Sequence, residues 1–137
     1  MNRYSFWQSA LLDYVEENKA RPFAWGAFDC ALFAAGAVAA MTGEDIASGY
    51  RGRYTTLAGG LRLLKRDGFA SHADLAAAHL PEIHPSQAQV GDIAAVPAHD
   101  AGLFALGIVQ GERIILLREE GGLGSADLLE AARAFRV

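Results

Sequence analysis

One thiol, Cys30, and four histidines are the side chains here most able to do covalent chemistry. Cys30 follows Asp29 and the aromatic stretch Phe23-Ala24-Trp25-Gly26-Ala27-Phe28. In the first turn of a helix, its thiolate is favoured by unpaired backbone amides and the positive end of the helix dipole. The Asp29 charge acts in the opposite direction. Two readings therefore stand: a nucleophile, or the small buried hydrophobe that most free cysteines are. A cysteine nucleophile normally needs a base. His99, followed by Asp100 in a loop that feeds a strand, is the best placed of the four. His72 and His79 open and close a short helix seven residues apart and read as a solvated edge, and His84 lies in a proline-bounded turn.

Other chemistries find less support. Cys30, His79, His84, His99 and Asp100 are metal-ligand types, but none are paired at the i, i+3 or i, i+4 spacing of a zinc site. Gly59-Gly60 lacks the Lys-Ser/Thr of a phosphate loop, and Gly121-Gly122-Leu123-Gly124 follows two acids rather than a strand. No cofactor is expected. The 12 Lys+Arg against 16 Asp+Glu give a formal charge of −4, which argues against nucleic acid as a partner. Arg51, Arg53, Arg62, Lys65 and Arg66 then read as a solvated face beside Tyr50 and Tyr54. A single cysteine excludes an internal disulfide and suits a reducing cytoplasm. The longest apolar run, Cys30 to Met41, has 12 residues, against roughly 20 for a bilayer span, so no membrane insertion is expected.

The elements that must position these groups follow from periodicity. Trp7, Leu11, Tyr14 and Val15 share one face of a helix over 4–19, ended by Pro22. Asp29 is a natural N-cap for a helix over 30–41 that is apolar all round, and so central to the core. Leu57, Leu61 and Leu64 place a third helix over 57–67, with Gly68 as its left-handed terminator. Ser71 caps a short helix that ends before Pro81. Strands are expected over 93–96, 103–110 and 113–118, the last two joined by a Gly111-Glu112 hairpin turn. Residues 126–134 have helical composition. At 137 residues, helices first and an antiparallel sheet afterwards predict one α+β domain over 1–137.

The segment 23–30, the helix behind it, Gly52-Arg53-Tyr54, the Gly91-Asp92 strand start and Leu106-Gly107-Ile108 together resemble the NlpC-type branch of papain-like cysteine peptidases. More closely, they resemble a phage and prophage family found beside tail genes. The resemblance spans almost the whole chain. It implies a cysteine-bearing helix packed on an antiparallel sheet, and hydrolysis of peptide bonds in peptidoglycan. Cys30 matches the nucleophile. The catalytic histidine of that branch opens a His-x-Gly-Ile segment, which here reads Ala105-Leu106-Gly107-Ile108. The orienting polar residue falls near Leu116 or Leu117. Two of the three catalytic positions are therefore apolar.

The resemblance thus implies a catalytically silent or weakly active module in tail assembly or cell-wall engagement, with tail proteins or peptidoglycan peptides as partners. The resemblance also implies synthesis in the bacterial cytoplasm and is compatible with association with the virion. That reading predicts a buried or unpaired Cys30 and an exposed binding surface from Trp25, Asp29, Tyr50 and Tyr54. The alternative is an active peptidase or amidase with Cys30 as nucleophile, His99 as base and Asp100 as orienter, which predicts an open cleft and a depressed thiol pKa. His99 lies six residues before Ala105, about 20 Å of extended chain at most.

Overall fold

Four helices precede a six-stranded antiparallel sheet in the computed structural model, which describes residues 1–98 and 103–137. The helices are α1 (Trp7–Asn18), α2 (Cys30–Thr42), α3 (Leu57–Arg66) and α4 (His72–His79). Helix α2 occupies the centre because it offers apolar atoms on every side. Leu32, Phe33, Ala34, Ala35, Ala37, Val38 and Met41 are all buried. Its ends are set by the expected residues. The Leu32 N–H donates to Asp29 Oδ1 at 3.0 Å. At the other end, Gly43 takes φ 85° and its N–H bonds the Ala39 carbonyl.

Helix α1 begins at Trp7 rather than residue 4; the Tyr4 N–H donates to the Met41 carbonyl at 2.7 Å, pinning the chain across the end of α2. It lies against α2 closely enough for Tyr14 to donate to the Phe33 carbonyl at 2.7 Å. Gly36 permits that approach: a Cβ there would sit 2.2 Å from the Tyr14 hydroxyl.

The strands are β1 (Glu82–Ile83), β2 (Ile93–Pro97), β3 (Phe104–Gln110), β4 (Arg113–Leu117), β5 (Leu123–Asp127) and β6 (Arg133–Phe135), in the spatial order β1-β6-β2-β3-β4-β5. Alternation sorts the two faces. Ile93, Ala95, Leu106, Ile108 and Phe135 pack toward α2, whereas Ala94, Val109 and Ile114 face the other way, under Leu128 and Ala131. The helix expected over 126–134 does not form. Asp127 ends β5, caps a single 3-10 turn (Leu128–Glu130), and the chain then enters the sheet as β6 between β1 and β2. Burial of Ala134 and Phe135 within the sheet outweighs the helical preference of an alanine-rich stretch. Both chain ends meet at buried Asp92, whose carboxylate accepts from Arg3, Gln89 and Val137.

Candidate functional site

The site lies where β3 and β4 part. Their pairing runs from Gln110↔Arg113 to Ile108↔Ile115 and no further, although β4 stays paired with β5 through Leu117. On β3, the Leu103 and Val109 carbonyls accept from Ala98 and Gly91 on the β2 side. Alternation then turns the backbone groups of Phe104 and Leu106 toward the opposite, unpaired edge. A cavity of about 320 Å³ opens there. Its walls come from the aromatic loop, the start of α2, α3, α4 and the split strands.

Trp25, Asp29, Cys30, Tyr50 and Tyr54 all line this cavity. Asp29 organises them. It is 2% exposed, and besides capping α2 through Oδ1 its Oδ2 accepts the Gly26 N–H at 3.1 Å and the Tyr54 hydroxyl. One carboxylate therefore ties the aromatic loop, the helix start and the Tyr54 segment together. Three internal donors already engage it, which suits holding the wall rather than gripping a ligand. Gly26 takes φ 79°, and a Cβ on it would lie 1.8 Å from the Tyr54 carbonyl oxygen, so the loop needs glycine there. Burial, followed by the bond to Asp29, pushes the Tyr54 hydroxyl pKa well above its ordinary value. Tyr50 is 8% exposed and donates to Asp67 at 2.7 Å; burial and that bond push its pKa up to about 12. The expected exposed surface is thus a cavity wall, because these rings turn inward over α2 and α3.

Cys30 is the first residue of α2 and half-buried. Burial pushes its thiol up from 9.0 to about 11. The Asp29 charge adds to the rise, while the backbone amides of Leu106, Ala31 and Cys30 itself oppose it. The helix N-terminus therefore does favour the thiolate, and loses to desolvation. This is opposite to the depressed pKa of an activated nucleophile.

The sequence reading missed His72. Expected on a solvated edge, it lines the same cavity as Cys30, and its Nε2 is buried without a hydrogen-bond partner among the described residues. Burial lowers its pKa, against the opposing effects of the Phe104 carbonyl and the Asp29 charge. The reversal is tertiary: the two histidines of α4 are equivalent by spacing, and only the packing shows which one is covered. Ser71, the N-cap beside His72, is 3% exposed. His79 is exposed, and His84 bonds Ser86 within its own turn.

His99 and Asp100 lie outside the described residues. Ala105 and Leu117 both line the cavity, so positions to which the NlpC resemblance assigns polar groups are held by apolar residues here. Among the described residues, no group of three or more His, Cys, Asp or Glu could hold a metal ion. None of their helices is long and apolar enough to cross a membrane.

A profile described as "Domain of unknown function (DUF6950)" matches residues 2–137. The chain belongs to the DUF6950 family. No curated protein matches it. Among solved structures it is similar to the NlpC/p60 domain of the peptidoglycan hydrolase SagA, with a TM-score of 0.61 and 18% identity over 94% of this chain and 97% of that one. At that identity the likeness is one of fold. This DUF6950 chain therefore has an NlpC-like α+β fold: helices, with the cysteine at the start of the central one, packed on an antiparallel sheet.

Proposed function

We propose that this domain is a catalytically silent or weakly active NlpC-like module that binds peptides at the Cys30 cavity. We place it in phage or prophage tail assembly or cell-wall engagement. The observation that carries the reading is the wall around the thiol. Ala105 stands at the base position, Leu117 stands near the orienter position, and a thiol pushed up to about 11 stays protonated at neutral pH. General-base assistance is worth about 10²–10⁴-fold, and no residue at these two positions supplies it. The fold shared with a peptidoglycan hydrolase domain supports engagement of cell-wall peptides. The tail setting, with synthesis in the bacterial cytoplasm and passage into the virion, rests on the resemblance of the motifs around Cys30 and Gly107.

The deciding experiment incubates muropeptides with the wild-type protein and with Cys30→Ala. The expected result is the same product profile for both; Cys30-dependent cleavage overturns the proposal. One observation favours a second reading, an active hydrolase. His72 shares the cavity with Cys30 and its Nε2 has no partner among the described residues, so His72, rather than His99, is the described imidazole that could serve as base. Under that reading, cleavage is lost in both Cys30→Ala and His72→Gln.

A further inference from the structure

We infer that the Cys30 cavity takes an uncharged peptide segment bearing a bulky apolar side chain, with a backbone group of that segment hydrogen-bonded to His72 Nε2. This rests on the peptide-binding reading and adds the chemical class of the ligand.

The cavity's lining selects by charge. Phe23, Trp25, Leu57, Leu61, Leu75 and Phe104 form much of the wall, and no Lys or Arg is among the lining residues. Of the two carboxylates among the described lining residues, Asp29 already accepts from three internal donors and Glu119 is exposed. Among the described residues a ligand carboxylate would meet no lining cation, and a ligand ammonium no unengaged buried anion. At about 320 Å³ it sits at the small end of ligand pockets, the scale of one or two side chains.

His72 separates a peptide from a plain hydrocarbon. Its Nε2 is buried, and burial favours the neutral ring, so that nitrogen either accepts or donates one hydrogen bond according to tautomer. A buried polar atom without a partner costs free energy that a ligand can relieve. An acyl chain presents only methylenes to it. A peptide presents both an N–H and a C=O at almost every residue, and so satisfies either tautomer. Together the apolar wall and an imidazole nitrogen without a partner among the described residues describe a blocked apolar peptide better than a lipid.

The test is calorimetric titration of the full chain with three probes: acetyl-Ala-Leu-Phe-Ala-amide, acetyl-Ala-Glu-Lys-Ala-amide and octanoate. The apolar peptide is expected to bind at least tenfold more tightly than either of the others. His72→Leu is expected to weaken it about tenfold, and His72→Gln, which keeps a hydrogen-bonding group, no more than about threefold. Equal or tighter binding of the charged peptide or of octanoate overturns the inference, as does an unchanged affinity in a folded His72→Leu protein. If circular dichroism shows that the variants have unfolded, the wild-type ranking of the three probes decides alone. Cys30-dependent cleavage of muropeptides strikes the non-hydrolytic reading instead, whichever probe binds best.

Discussion

The pH dependence of Cys30 alkylation gives the sharpest test of whether this thiol is activated as in a cysteine peptidase. Burial, with a smaller contribution from Asp29, lifts the thiol from 9.0 to about 11. Two pKa steps reduce the thiolate fraction at neutral pH about 100-fold relative to a free cysteine. A more basic thiolate is also a better nucleophile, with a Brønsted slope near 0.4–0.5, which returns about 6–10-fold. The net expectation is alkylation by iodoacetamide at least about tenfold slower than for the same thiol in urea, before restricted access slows it further. The logarithm of the folded-state rate should rise with unit slope from pH 7 to about 10 without levelling off, whereas the unfolded control levels near 9. Circular dichroism at each pH ensures that the folded protein is being measured. A plateau beginning at or below pH 8 would refute the reasoning, because it would mean that the amides at the start of α2 and on Leu106 outweigh desolvation.

Three further outcomes follow from the same geometry. Asp29→Ala removes the α2 cap and leaves the Gly26 N–H and Tyr54 hydroxyl without their acceptor, so urea denaturation should show a loss of about 3 kcal/mol or more. Gly26→Ala forces a Cβ into the Tyr54 carbonyl oxygen at positive φ. It should cost more than about 2 kcal/mol, whereas alanine at Gly52, which has open space at a similar φ, should cost about 1 kcal/mol. His72 has a folded pKa below its unfolded value near 6.5. The unfolded chain then binds its proton first, so stability should fall as pH drops below about 6.5. Replacement by Gln should flatten that part of the stability–pH curve, and an unchanged slope would argue against a buried neutral ring.

Much of the framework was legible without coordinates because it is local. Asp29 before an apolar run is a capping residue whatever surrounds it, Gly68 ends α3 at φ 88°, and Gly111 turns the β3–β4 hairpin at φ 69°. Apolar periodicity marked α2 as central for the same reason: it has no polar face to give to water. The apolar character of the positions to which the NlpC resemblance assigns base and orienter, Ala105 and Leu116 or Leu117, was also readable.

What tertiary structure decided is everything that depends on which surfaces meet. The alanine-rich segment near the C-terminus has a helical composition, yet β1 and β2 offer it a pairing edge and burial for Phe135, and strand wins. His72 and His79 are equivalent by spacing on one short helix, but packing puts His72 in the wall of the Cys30 cavity and leaves His79 exposed. The cavity exists because β3 and β4 separate beyond Ile108. No residue type encodes that separation; it is set by how two strands share a sheet with different neighbours. The sequence by itself therefore determined the chemistry this chain can carry, because side-chain identity and capping act over a few residues. The structure alone decided which of those groups share a cavity, because burial, and with it the raised thiol and the lowered imidazole pKa, belongs to the packed fold rather than to any segment of it.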